Sequence, residues 1–148
     1  MTLRQVLIPV SIHSNRTHLQ GALAEAIVIS RTEPHTRIHL LSIQPPVSLH
    51  VADYFKPGEL WQVQLEGSRQ DLAAPRELLD AAAVSYKTHT LVGRSADVIV
   101  QFAQEYRCDR ILMGQAGRSG VQEKLFGTLA SQVRQMLGVA GNCQVIGT

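Results

Sequence analysis

Apolar and polar positions along this chain switch between two periods. Val6 to Val10 is a continuous apolar run of strand length, the pattern of a strand buried on both faces. Pro9 near its end fits a strand whose pairing is finishing. Leu19, Ala22, Leu23, Ala26 and Ile27 then share one helical stripe, and Ser14 or Asn15 can cap that helix. Arg37 to Ile43 is a second strand, stopped by Pro45 and Pro46. Two strands joined by a helix of this length run parallel, with a right-handed crossover.

Residues 47–58 have no clean period and close on the turn signal Pro57-Gly58, which predicts a surface loop able to cover a site. A helical pattern runs from Leu60 to Ala83 with Pro75 inside it, so a kink or two helices are expected. Val84 to Val92 is β-branched and half polar in alternation, the signature of an edge strand. Ser95 then caps a helix with Val98, Ile99, Phe102 and Tyr106 on its inner side. Ile111 to Met113 is a short buried strand; Leu129, Val133, Met136 and Leu137 form the stripe of a last helix; Asn142 to Ile146 is a fifth strand. The fold class is α/β: a single domain with an open, mostly parallel five-stranded sheet and helices on both faces. No repeat, linker or low-complexity segment divides the chain.

The chemistry concentrates between the fourth strand and the last helix. Gly114 and Gly117 let the backbone leave the strand without a Cβ in the way. Gly127 and Thr128 stand where the last helix is predicted to start, with free N–H groups and a hydroxyl, which are the parts of a phosphate cradle. Gly114-x2-Gly117-x9-Gly127-Thr128 resembles the nucleotide-binding pattern of the universal stress proteins, in which the final glycine is followed by serine or threonine. The similarity extends over essentially the whole chain.

That resemblance implies strand order 3-2-1-4-5, the adenine nucleotide alpha hydrolase-like arrangement, with the first and fourth strands adjacent. Their carboxyl ends form the topological switch point where open α/β sheets bind ligands. It also implies ATP as ligand, with AMP or ADP as alternatives and magnesium as a candidate companion. Carried across by position, Pro9, Val10 and Ser11 line the adenosine end, and Ile43 offers backbone groups to the base. Met113, Gly114, Gly117, Gly127, Thr128, Leu129 and Ala130 hold ribose and phosphates. Arg118 and Lys124, between the motif glycines, are placed to approach the polyphosphate. The family further implies a homodimer through the fifth strand, where Cys143, Val145 and Ile146 present apolar side chains on an edge with no following helix.

Two positions depart from the family pattern. An Asp-Gly-Ser triplet commonly ends the first strand, and here Ser11-Ile12-His13 stands in its place. A hydrogen bond to a charged group is worth roughly 1.5–3 kcal/mol, so loss of the carboxylate corresponds to about ten- to a hundredfold in affinity. Gln144 replaces the proline frequent before the last strand.

Composition removes several classes. A net charge of +2 leaves no basic stripe for nucleic acid. The apolar run at Val6 to Val10 is too short for a signal core and no stretch is long enough to insert in a bilayer, so a cytoplasmic protein is expected. Cys108 and Cys143 lack CxxC spacing and are read as reduced and structural. His35 and His39 fall at and in a strand, where an i, i+4 pair does not converge on one metal, and are read as exposed polar residues. His13 lies near the proposed site, His18 in the helix beyond it.

Catalysis has little to stand on. No GxxxxGK[ST], no early G-x-G-x-x-G and no nucleophile elbow is present, Ser119 sits in a long loop, and no paired carboxylates mark the strand ends. The expected function is a nucleotide-binding regulatory module of the stress response. The rival is a dimeric interaction protein of the same fold that binds no nucleotide, and an ATP-hydrolysing enzyme ranks third.

Overall fold

The chain alternates strand and helix as β1 (Arg4–Val10), α1 (Arg16–Thr32), β2 (Thr36–Gln44), α2 (Leu49–Ala52), α3 (Glu59–Ala81), β3 (Tyr86–Val92), α4 (Ser95–Glu105), β4 (Arg110–Gly114), α5 (Gly120–Leu137) and β5 (Gln144–Gly147). The computed structural model describes residues 3–11, 16–114, 120–138 and 141–147, with the backbone alone for 120–128. One five-stranded sheet has the order β3-β2-β1-β4-β5, and every pairing in it is parallel. The expected topology is therefore the observed one.

Two apolar layers sandwich this sheet. Val6, Ile8 and Val10 of β1 pack with Ala22, Leu23 and Ala26 of α1 and Leu72 and Leu79 of α3. Leu7 points the other way, to Ile99, Phe102 and Ala103 of α4 and Leu129 and Val133 of α5. This is the alternation of a strand with a helix layer on each face, and it explains why β1 reads as an unbroken apolar run. Pro9 still pairs in register with Leu41 of β2, whereas the ladder to β4 is confined to Val6 and Leu7. The missing N–H of Pro9 thus falls where pairing on one side has ended.

Four local expectations need correction. Residues 47–58 contain the short helix α2, whose cap is Ser48 accepting from the Val51 amide at 3.2 Å. Of the two forms expected around Pro75, two separate helices are not observed: α3 continues through it as one helix, with Ser68, Leu72, Pro75 and Leu79 on its buried stripe, where packing of the ring offsets the backbone bond that proline removes. The cap of α4 is Arg94, in extended conformation and without a side-chain bond, so Ser95 is already helical. β3 is an edge strand as expected, but its faces do not alternate cleanly: Lys87 and Thr88 are both exposed, and His89 and Thr90 both half-buried. The capping residues Ser14 and Asn15 lie outside the described residues.

The amino edge of the sheet is tied by charge. Glu33 takes two bonds from Arg110, at 2.6 and 2.7 Å, and a third from Arg4 at 2.7 Å. The Arg110 hydrogen bond is the main cause that lowers the Glu33 carboxyl below its ordinary value.

Candidate functional site

The carboxyl edge carries the candidate site, and its shape follows from how the strands end. At β4 the chain stops at Gly114 with φ +76°, and a Cβ there would lie 1.9 Å from the His18 carbonyl oxygen of α1. Only glycine fits this approach of β4 to α1. The first glycine of the expected motif therefore has a structural reason to be here, independent of any ligand.

At β2 the chain ends in Gln44, whose side-chain amide donates to Ser42 Oγ at 3.1 Å and Asp71 Oδ2 at 3.0 Å. Ser68 and Thr90 hydroxyls meet at 2.6 Å, so α3 is pinned to both β2 and β3. The turn after β3 uses Gly93, whose N–H donates to the Gln44 carbonyl at 3.1 Å. A Cβ at Gly93 would meet Val98 of α4 at 2.7 Å. These fixed ends hold the start of α4 away from β2 and leave a gap between them.

That gap is a cavity of about 520 Å³, inside the range typical of small-molecule sites. Ile43, Pro45 and Pro46 form one wall, Gly93 to Asp97 a second, and Leu129, Gln132, Gln135 and Met136 of α5 the third. Ile43 is a buried floor, and Arg94, Asp97 and Gln132 are exposed polar groups along the rim. The crevice between β1 and β4 is by contrast almost closed, with about 10 Å³ among Pro9, Ser11, His18, Leu19, Ala22, Leu112, Met113 and Leu129.

The predicted site residues are therefore divided. Pro9, Ser11 and Met113 border the narrow crevice, Ile43 borders the large cavity, and Leu129 borders both. Val10 sends its side chain into the α1 and α3 layer, and Ala130 is fully buried. Gly117 and Arg118 lie outside the described residues, as do His13 and the side chains of Lys124, Gly127 and Thr128.

One expectation about the cradle is overturned by the backbone. α5 starts at Gly120, so Gly127 and Thr128 stand inside the helix and their N–H groups belong to its ladder rather than to an open end. Gln122, Glu123, Lys124 and Leu125 are good helix formers, and the helix extends back through them. A phosphate held at Gly127 and Thr128 needs those turns opened; the free amides of this α5 are in its first turn, after Gly120.

Sequence reasoning missed Pro45, Gly93 to Asp97, Gln132 and Gln135 as lining residues. The rule that places ligands beyond strand carboxyl ends applies equally to the turn after β3, and Leu129, Gln132 and Met136 share an i, i+3, i+7 face. His39 was also misread. It is buried at 1% exposure, with ring nitrogens bonded to His89 and Gln5, while His35 is exposed as expected. Cys108 and Cys143 are free, and burial raises their thiols to about 12 and about 11, which fits unreactive structural groups.

Comparison with known proteins bears on this site. Residues 2–136 match the model of the Universal stress protein family. The universal stress protein MJ0531 of Methanocaldococcus jannaschii is 31% identical over 68 residues, covering 46% of this chain and 40% of that protein; the match thus spans less than half of the relative. Among solved structures, the hypothetical protein MJ0577 superposes with a TM-score of 0.71 at 19% identity, covering 100% of this chain and 98% of the other. A universal stress protein in complex with cAMP gives 0.65 at 16% identity over 100% and 98%. A universal stress protein family member from Arabidopsis thaliana with AMP bound gives 0.60 at 15% identity over 97% and 90%. At these identities the structures attest the fold.

Proposed function

Because this chain belongs to the universal stress protein family, we propose that it binds ATP or a related adenine nucleotide at the carboxyl edge of its sheet and acts as a regulatory binding module of the stress response. The observation that carries the reading is the 520 Å³ cavity floored by Ile43 and bordered by Leu129. It is large enough for the adenosine end, apolar on its floor, and rimmed by a few polar groups, as nucleoside recognition requires. Solved relatives that hold cAMP and AMP support an adenine ligand.

In this reading the base lies against Ile43 and the phosphates are directed past Leu129 towards Gly114. Magnesium enters with the triphosphate; among the described residues no group of three or more His, Cys, Asp or Glu side chains is placed to hold an ion by itself. A cytoplasmic location goes with the reading, tested by cell fractionation. Among the described residues no helix is long and apolar enough to cross a membrane.

Calorimetric titration with ATP, AMP, cAMP and GTP is the direct test. Adenine nucleotides are expected to bind and GTP to bind more weakly. Absence of heat and of any melting shift at millimolar ATP, AMP and cAMP refutes nucleotide binding.

A second reading, a dimeric interaction protein that binds no nucleotide, is favoured by α5 starting at Gly120 and by Ser11 in place of the family's aspartate. Nucleotide found in the protein as purified excludes it. Either reading includes a homodimer through β5, with Cys143, Val145 and Ile146 at or near the joint. Light scattering at micromolar protein should then report twice the chain mass.

A further inference from the structure

The open edge of β5 is already engaged by its own chain. The Gln144 amide donates to the Asp109 carbonyl at 2.8 Å, so Gln144 turns its backbone groups towards β4. The next residue, Val145, turns its own outward, since successive residues of a strand face opposite neighbours. That outward carbonyl accepts from Arg134 of α5 at 3.1 Å, and the same guanidinium nitrogen also donates to the Gly147 carbonyl. Arg134 is thus spread along the row of acceptors that an added strand would use.

Within its four residues β5 carries no protection of its own. Edge strands are usually kept from pairing by a charge, a proline or a bulge, and β3, at the far edge, has Lys87 within it and exposed. β5 reads Gln-Val-Ile-Gly, with neither charge nor proline. The irregularity in its ladder lies between Leu112 and Gly114 on β4, at its inner side. A strand this short and uncharged suits a second copy of itself about a two-fold axis, because self-pairing brings no like charges of β5 together. Among the described residues, Arg134 is the charged group bonded to that edge.

We propose that Arg134 competes with strand addition at the β5 edge and so controls how tightly a second copy of this chain binds there. The inference rests on the β5 dimer included in the proposed function. To form the ladder, Arg134 must release the Val145 and Gly147 carbonyls in both protomers. The wild-type dimer is therefore weaker than the edge alone would make it.

Sedimentation velocity on wild type, Arg134→Ala and Arg134→Gln measures the competition, with melting curves to confirm that each variant is folded. Loss of the charge-assisted contacts should tighten the dimer by roughly tenfold or more. Adding Val145→Pro to Arg134→Ala should return the protein to monomer, since that proline removes an edge-facing donor without touching the ladder to β4. A wild type that dimerises, with folded Arg134 variants that are no tighter, overturns the role of Arg134 and leaves the dimer standing. Wild type and variants that all stay monomeric at high concentration overturn both. Tightening that survives Val145→Pro overturns the placement at β5.

Discussion

His39 Nδ1 lies 2.9 Å from His89 Nε2, deep between β2, β3 and α4. The other ring nitrogen of His39 meets the Gln5 side-chain oxygen at 2.6 Å. An amide oxygen only accepts, so His39 carries its proton on Nε2 and its bare Nδ1 accepts the N–H of His89. Phe102 and Tyr106 stack at 4.2 Å beside both rings. The pair is a neutral bridge that links the edge strand to the sheet's centre.

Acid should loosen this bridge. Burial lowers His39 to about 4, helped by His89, Arg37 and Lys87, and burial with Lys87 lowers His89. Folded values below the ordinary 6.5 mean that the unfolded chain binds protons more readily. Stability is thus intact above pH 6.5 and falls as pH drops towards about 4, by on the order of 2 kcal/mol between pH 6.5 and 5. Denaturant melts across that range should show the slope, and His39→Phe should flatten it. An unchanged slope in His39→Phe assigns the effect elsewhere.

Gly114→Ala should destabilise the protein with no ligand present. Its Cβ would collide with the backbone of His18 at a positive φ, where neither atom can swing aside. The cost is about 3 kcal/mol or more, corresponding to a melting point roughly 6–12 °C lower. A variant that melts like wild type would show that this glycine is there for a ligand alone.

Filling the large cavity should separate binding from folding. Gln132 is exposed on α5 and lines the cavity without belonging to either core layer. Gln132→Trp is expected to weaken ATP binding by at least about tenfold while costing less than about 1 kcal/mol of stability. Unchanged affinity in calorimetry would move the nucleotide out of this cavity.

The two thiols should be slow. With Cys108 raised to about 12 and Cys143 to about 11, little thiolate exists at pH 8. Native protein should react with a thiol reagent far more slowly than the guanidinium-unfolded chain. Rapid titration of both thiols in native protein would contradict their burial.

Sequence by itself settled the five strands and the four long helices, but neither the short α2 nor the start of α5. The reason is local: Val6 to Val10 lies in contact with a layer on each face, and Leu19 to Ile27 with one, so burial prints the period of each element directly into the order of side chains. The half-polar β3 even declared itself an edge, and residue-by-residue resemblance supplied the order of strands. Three things were decided only by tertiary structure. Pro75 is tolerated because its ring falls on the buried stripe of α3, a packing fact invisible to a helix propensity. His39 looks like a surface residue until β3 and α4 bring His89 and Tyr106 over it. The cavity exists because Gly93 and Gln44 fix where β2 ends and α4 begins. No period along the chain records a space left between elements, since its walls come from residues far apart in sequence whose separation depends on how each element is anchored elsewhere.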